Sequence, residues 1–120
     1  MTQTKLYWHW TTNPQKIRFA LEEWHIEHEL IQIHLGKGQN RTPEYRELHP
    51  KGSVPTLIHN DQVYWESNAA LLALSQDHPE MMPDIETADY AEALNLLFMV
   101  ACTFQRWAGV HFMQQKIHPL

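Results

Sequence analysis

The chain has only one cysteine, Cys102, in 120 residues. It therefore cannot form an internal disulfide, and without a CxxC pair it cannot carry out dithiol redox chemistry. Its first residues, MTQTK, lack the apolar core of a signal peptide. Nine basic residues against fourteen acidic ones give a formal net charge of −5 without a basic run, which disfavours nucleic acid as a partner. The longest apolar stretch, residues 94–104, is shorter than a membrane span. These absences predict a cytoplasmic protein that binds neither nucleic acid nor membranes.

Apolar and histidine residues are plentiful by comparison. The composition is 43% apolar with five tryptophans, which is typical of a well-packed globular protein. Among the nine histidines, His25 and His28 lie close to Glu22, but no second tight pair completes a tetrahedral site. We therefore expect no bound metal. Cys102 falls on the apolar register of a long helical segment, which predicts a small core residue.

The periodicity of the first fifty residues alternates between strand and helix. The aromatic run from Leu6 to Trp10 is typical of a strand. Asn13 before Pro14 predicts a helix start with Asn13 as the cap. The expected segments are a helix from about Pro14 to Trp24, a strand within residues 27–35, a polar loop over 36–41, and a short helix opened by Thr42 and Pro43 that ends near His49.

The next segment reads as a hairpin followed by a third helix. We expect strands at residues 56–58 and 63–65, joined by a tight turn at Asn60 and Asp61. Glu66 and Ser67 begin the helix, with Ser67 as the expected N-cap. A right-handed crossover makes the first two strands parallel. The prediction is an α/β domain of order β-α-β-α-β-β-α with a mixed four-stranded sheet.

Two prolines within the stretch HPEMMP, residues 78–83, prevent the third helix from continuing. We expect a domain over residues 1–78, a linker over 79–85 and a helical segment over 86–120. That segment should contain one long helix, about Glu86 to Val110, whose apolar face is too wide for the helix to bury alone. The interpretation is that the chain is a fragment or that this helix packs on a partner.

The stretch GSVPTL, residues 52–57, lies close in sequence to WESN, residues 65–68. The first offers a proline-interrupted backbone edge, and the second offers a helix N-terminus with its amide N–H groups and positive dipole. An extended peptide can pair with such an edge, and its carboxylate can bind at such a helix end. The two together predict a site for a small anionic peptide.

The same residues carry a family resemblance. The stretches HPKGSVPTL at 49–57 and ESNAALLAL at 66–74 resemble the glutathione-site half of a cytosolic glutathione S-transferase, as do RFALEE at 18–23 and GKGQNRTPEY at 36–45. The resemblance covers residues 5–78 well and 79–112 more loosely. It implies a thioredoxin-like domain followed by the first helix of an all-helical domain. It also implies a cytoplasmic homodimer that uses glutathione as co-substrate in detoxification.

The resemblance implies that the thiol of glutathione lies near the end of the first strand and the start of the first helix. A helix N-terminus and a hydroxyl or amide donor favour thiolate over thiol. The matching segment offers Thr11, Thr12 and Asn13, of which we favour Thr11 as the donor to sulfur and Asn13 as second. Asn13 is equally well explained as a helix cap, and Tyr7 ranks below both.

The remaining glutathione contacts follow from the resemblance residue by residue. Val54 would pair its backbone with the cysteinyl unit beside a cis Pro55. Ser67 would bind the γ-glutamyl carboxylate, and Glu66 would bind the ammonium group. Asn40 and either Lys51 or Ser53 occupy positions whose side chains would reach the glycyl carboxylate.

Three functions fit these residues. The first is conjugation of the glutathione thiolate to an apolar electrophile, whose identity the sequence does not indicate because that pocket belongs largely to the helical domain. The second is glutathione-dependent disulfide reduction, since threonine and asparagine replace the usual serine or tyrosine. The third is a non-catalytic module for dimerisation or docking.

Overall fold

The computed structural model describes residues 3–117, which form two compact units divided between His78 and Pro79. The first unit has four strands and three helices in the predicted order. The elements are β1 Thr4–Trp8, α1 Thr12–Glu23, β2 His28–Gln32, α2 Pro43–Leu48, β3 Thr56–His59, β4 Gln62–Tyr64 and α3 Ser67–Asp77, with short 3-10 turns at Leu35–Lys37 and Gln39–Arg41. This arrangement confirms the predicted thioredoxin-like α/β fold.

The sheet has the strand order β2-β1-β3-β4. Strands β1 and β2 are parallel, with Leu6 opposite Leu30, while β3 is antiparallel to both β1 and β4. The β3–β4 turn places Asn60 and Asp61 at φ angles of 51° and 60°, as a two-residue hairpin of the predicted type requires. The mixed four-stranded sheet is therefore confirmed.

Alternation along β1 decides which helix covers which face of the sheet. On one face, Trp8 lies under Arg18 of α1, with the guanidinium 4.3 Å from the ring centroid. On the other face, Tyr7 meets Tyr45 of α2 at 5.8 Å between ring centroids. The α1 face holds the core, where the fully buried side chains include Leu6, Ile17, Leu21, Leu57 and Leu74.

A chain of polar contacts ties the same face to the end of α3. Thr4 Oγ1 lies 2.9 Å from His59 Nδ1, and His59 Nε2 lies 2.9 Å from Asp77 Oδ2. Asn60 also donates to Asp77 Oδ2 at 2.8 Å. These bonds hold the pKa of the Asp77 carboxyl below its ordinary value of 3.8. They fix the C-terminal end of α3 to the β3–β4 hairpin.

The second unit is mainly one helical segment. Helix α4, Ala88–Met99, passes through a π turn at Val100–Phe104 into α5, Gln105–Ile117. The predicted helix of residues 86–110 is therefore longer and interrupted. Cys102 is exposed, so the expected core position is wrong. It lies in the π turn, whose extra residue shifts the 3.6-residue register on which that expectation depended.

By length and composition alone, the 29-residue helical stretch Ala88–Lys116 could cross a membrane, and none of its most apolar part is buried within the structure. The apolar stretch recognised in the sequence, residues 94–104, is therefore shorter than the apolar helix of the structure. A single helix of this kind is weak evidence for a membrane span, and the absence of membrane binding stays a prediction.

Candidate functional site

Helix α2 holds the loop that carries the predicted backbone edge. The Tyr45 hydroxyl donates to the Ser53 carbonyl at 2.6 Å and lies 2.8 Å from Thr56 Oγ1. Because the single phenolic proton goes to the carbonyl, the Thr56 hydroxyl is the donor in the second bond. Burial raises the pKa of Tyr45 above its ordinary value of 10.0, partly offset by the Thr56 bond. The phenol therefore stays neutral. Its two bonds fix Ser53 and Thr56, the residues on either side of residues 54 and 55.

The Val54–Pro55 peptide bond inside this loop is cis, the geometry that the resemblance implies. Pro55 is buried, while Val54 is half-buried. The bond directly precedes β3, which begins at Thr56. The backbone of Val54 therefore lies at the end of a sheet strand, where an extended peptide could pair with it.

A second contact fixes the start of the same loop. Asn40 Nδ2 donates to the Gly52 carbonyl at 2.8 Å. Gly52 has a φ of +62°, and a Cβ there would lie 2.5 Å from the Asn40 carbonyl oxygen. Asn40 therefore positions the loop, while Lys51 and the Ser53 side chain are exposed beside it. Their predicted contacts with the glycyl carboxylate stay predictions.

The first turn of α1 differs from its predicted form. The helix begins at Thr12 and its N-cap is Thr11, in extended conformation and without a side-chain capping bond. Asn13 as the cap is therefore wrong. Pro14 is the third helical residue, because no N–H of the first turn needs an intrahelical acceptor and proline is tolerated there. Thr11 thus stands at the helix N-terminus with its hydroxyl uninvolved in capping.

Helix α3 likewise begins earlier than expected, by one residue. Its N-cap is Glu66, without a side-chain capping bond, and Ser67 is the first helical residue. Ser67 as N-cap is therefore wrong. The Ser67 hydroxyl is directed across to α1, where it donates to Asn13 Oδ1 at 3.5 Å. This contact joins the thiolate and carboxylate ends of the predicted site.

The N-termini of α1 and α3 share a feature that α2 and α4 lack. In α2 and α4 a threonine N-cap accepts a bond from the helix backbone, and an acidic residue lies in the first turn. Neither α1 nor α3 has such a cap bond or a first-turn acid. The positive dipole end of α1 thus has no acidic side chain beside it, whereas α3 has the Glu66 carboxylate at its N-cap and leaves its first-turn amides without a capping bond.

The Glu66 carboxylate interacts electrostatically with two basic side chains, those of Lys16 and His49. Burial lowers the pKa of the Lys16 ammonium below 10.5, and the Glu66 carboxylate opposes this shift. Burial also lowers the pKa of His49 below 6.5, again opposed by Glu66. The His49 ring lies between Tyr45 and Trp65, with centroids 6.3 Å and 6.0 Å away. Glu66 is therefore the acidic group to which a ligand ammonium would be attracted.

The structure brings Asn13 and Ser67 together, and it places Asn40, from the turn before α2, against the loop after α2 that carries Ser53. Tyr7 packs against Tyr45 on the face opposite the core, away from the first turn of α1, where Thr12 is exposed. Sequence reasoning missed Tyr45 and Lys16 as site groups. Only Lys16 had a signal, because it lies three residues after Asn13 and so on the same helical face.

No group of three or more metal-ligating side chains occurs within residues 3–117. His28 lies 3.7 Å from Glu22 as an ion pair if the imidazole is protonated. His25 takes a positive φ of 53° in the turn after α1. The expectation of no bound metal stays a prediction.

A family model described as "Glutathione S-transferase, N-terminal domain" matches residues 2–72. The chain belongs to the glutathione S-transferase family. The match covers both predicted halves of the site and ends within α3. A glutathione S-transferase of zeta class from Euphorbia esula is 30% identical over 108 residues, which are 87% of this chain and 48% of that protein.

Other relatives agree with this family. The glutathione S-transferase Z2 of Arabidopsis thaliana is 31% identical, over 95% of this chain and 53% of that protein. A maleylacetoacetate isomerase from Dictyostelium discoideum is 37% identical over 69% of this chain and 41% of that protein. The chain thus spans about half the length of the curated relatives it matches.

Solved glutathione transferases have the same fold. The URE2P6 transferase from Phanerochaete chrysosporium, crystallised with oxidised glutathione, is 30% identical with a TM-score of 0.88 over 99% of this chain and 57% of that one. Ure2p in complex with glutathione has a TM-score of 0.86 at 23% identity. Structures with glutathione or oxidised glutathione bound are therefore among the neighbours of this chain.

Proposed function

We propose that this glutathione S-transferase chain binds glutathione between the Gly52–Pro55 loop and the first turns of α1 and α3. The observation that carries the proposal is the contact of Ser67 with Asn13. It brings together two helix N-termini whose backbone amides receive no capping bond from the side chain of the N-cap residue. A tripeptide with two carboxylates and a thiolate has the charges that such an arrangement favours.

Each end of the ligand has a matching group. The Ser67 hydroxyl and the α3 amides bind the γ-glutamyl carboxylate, and Glu66 binds the ammonium group. The Val54 backbone pairs with the cysteinyl unit. Thr11 donates its hydroxyl to the sulfur at the N-terminus of α1, with Asn13 as the second candidate. Asn40 acts through the Gly52 carbonyl, and Lys51 and Ser53 provide donors for the glycyl carboxylate.

With these contacts made, the bound thiolate can attack an electrophilic carbon. In conjugation the new carbon–sulfur bond is kept, and either a leaving group departs or the carbon chain takes up a proton. This reaction is the primary proposal for the whole protein. The electrophile pocket is not assigned, because the chain spans about half the length of its relatives.

Isomerisation is the second candidate. It is favoured by the relatives named zeta class and by the one named maleylacetoacetate isomerase. There the thiolate would add to a conjugated cis double bond, the resulting single bond would rotate, and the thiolate would leave again. Glutathione is then regenerated, so product formation without consumption of thiol distinguishes this reaction from conjugation.

Binding is the first step to test. We expect glutathione to bind the wild-type chain in calorimetry, and Ser67→Ala and Glu66→Gln each to weaken it by about 1.5–3 kcal/mol, roughly ten- to a hundredfold. Ser75→Ala is the matched control, because it removes a hydroxyl from the other end of α3, where that hydroxyl donates to the Leu72 carbonyl. A folded chain without measurable affinity would contradict the proposal.

Chemistry is tested next with the full-length protein. We expect Thr11→Val to lower the turnover number in thiol conjugation by about tenfold or more, with Thr11→Ser close to wild type. An activated aryl chloride tests conjugation, a cis-enedione tests isomerisation, and a mixed disulfide tests the reductase alternative. Full activity of Thr11→Val would remove Thr11 from the mechanism and leave Asn13 as the candidate.

The docking-module alternative predicts no turnover with any of these substrates. The homodimer, the cytoplasmic location and a role in detoxification remain proposals that rest on the family resemblance. Sedimentation of the full-length protein tests the homodimer.

A further inference from the structure

A second polar contact crosses between α1 and α3, next to the contact of Ser67 with Asn13. Lys16 Nζ donates to Asn68 Oδ1 at 2.7 Å. Asn68 is the second residue of α3 and directly follows Ser67. Lys16 lies one turn after Asn13 on the same face of α1. The first turns of the two helices are thus joined by two neighbouring side-chain bonds.

Lys16 is not an ordinary surface lysine. Its side chain is half-buried, and burial lowers the pKa of its ammonium group while Glu66 opposes that shift. A long flexible side chain loses much rotamer freedom when it is fixed in this way. A lysine that only solubilised the surface would not need this placement.

The contact also adds positive charge to the carboxylate end of the proposed site. The first turn of α3 contains no acidic residue, and Lys16 places a full positive charge against it. The acid close to this charge is Glu66, the group assigned to the ligand ammonium. A zwitterionic γ-glutamyl end would therefore meet an acid and a base side by side.

We propose that Lys16 is a positioning and specificity residue for the γ-glutamyl end of the ligand. Through Asn68 it fixes the first turn of α3 against the first turn of α1, and its charge favours ligands with a free α-carboxylate there. This inference rests on the proposed glutathione site. It adds that the carboxylate is selected by a side chain of α1 as well as by α3.

The test compares four variants of the chain in glutathione calorimetry. We expect Lys16→Met to raise the dissociation constant about tenfold and Lys16→Arg to stay within about threefold of wild type, since arginine keeps the charge and a donor. Asn68→Ala should weaken binding about three- to tenfold. The double variant Lys16→Met with Asn68→Ala should be no weaker than about tenfold, because both changes break one contact.

A second ligand separates specificity from a general loss of structure. We use the glutathione analogue whose γ-glutamyl α-carboxylate is converted to a carboxamide. The wild-type chain should prefer glutathione to this analogue, and Lys16→Met should lose most of that preference. A purely structural role would weaken both ligands equally and leave the preference unchanged.

The outcomes distinguish this inference from the function on which it rests. If the wild type binds no glutathione, both proposals are overturned. If Ser67→Ala weakens binding but Lys16→Met and Asn68→Ala do not, only the role of Lys16 is overturned. If Lys16→Met does not fold, Lys16→Arg and Asn68→Ala still decide, because an unchanged affinity in Asn68→Ala together with a tenfold loss in Lys16→Arg would contradict the proposal.

Discussion

Replacement of Gly52 by alanine tests the loop that carries the backbone edge. The residue has a φ of +62°, and its Cβ would meet the Asn40 carbonyl oxygen at 2.5 Å. The left-handed conformation costs an alanine about 1–2 kcal/mol. Relieving the overlap adds about 1–3 kcal/mol, and a disturbed bond from Asn40 to the Gly52 carbonyl adds about 1 kcal/mol.

Two other glycines separate these contributions. Gly38 also has a positive φ, of +72°, but nothing lies within 4 Å of its Cβ position, and Gly36 has open space without a positive φ. Alanine restricts the unfolded chain and so returns about 0.4–1 kcal/mol at each position. We therefore expect losses of about 2–5 kcal/mol for Gly52→Ala and about 1 kcal/mol for Gly38→Ala, and a gain of about 0.4–1 kcal/mol for Gly36→Ala.

Urea unfolding followed by tryptophan fluorescence and circular dichroism measures the three free energies of unfolding. Gly52→Ala should also weaken glutathione binding in calorimetry, because the displaced loop carries Val54. If Gly52→Ala lies within about 0.5 kcal/mol of Gly36→Ala, the close approach to Asn40 does not exist in solution. If it matches Gly38→Ala instead, only the backbone conformation matters.

Two further changes probe the groups around this loop. Tyr45→Phe removes the hydroxyl that bonds to the Ser53 carbonyl and should lower the free energy of unfolding by about 1–3 kcal/mol in urea titrations; an unchanged value would show that the hydroxyl does not hold the loop. Burial lowers the pKa of His49 below its ordinary 6.5, so the unfolded chain takes up the proton first. Neutral His49 therefore contributes fully to the free energy of unfolding above pH 6.5, and this contribution is lost as the pH falls through the pKa of His49 in the folded chain. His49→Phe keeps the ring and should therefore lose less thermal stability than wild type between pH 7 and pH 5; equal losses would contradict the assignment.

The fold could be predicted because its signals are local. Alternation from Glu27 predicted β2, and Asn60 with Asp61 predicted the hairpin turn, since only a few residue types accept a positive φ. The crossover rule then fixed the parallel pair. Element ends were less accurate: β1 was expected over residues 6–10 and lies at Thr4–Trp8.

The helix starts at the site were wrong for one physical reason. Asn13 and Ser67 are good N-cap residues by propensity, but in the structure they contact each other across two helices. Propensity describes a residue within its own helix and cannot include a partner 54 positions away. The sequence therefore placed Asn13 and Ser67 at the helix starts but assigned them capping roles that the structure does not show, and their contacts with a ligand stay predictions.

The supporting residues were missed because their contacts are non-local. Tyr45 is an unremarkable aromatic residue of a short helix until α2 packs under the loop at Ser53. Lys16 reads as a solvent-facing lysine until Asn68 is brought against it. Neither pairing follows from spacing, because both depend on how two elements pack.

Helix α3 is tied down at both ends. Asn13 and Lys16 bond to its first turn, and Asp77 at its last residue is bonded to the β3–β4 hairpin. Its 11 residues form a helix about 16 Å long. A helix that is bonded at both ends cannot shift along its axis to accommodate a longer ligand. If glutathione binds as proposed, a peptide with one more methylene in its acidic arm would not fit the fixed distance between the first turns of α1 and α3, and we expect the site to select ligands by length as well as by charge.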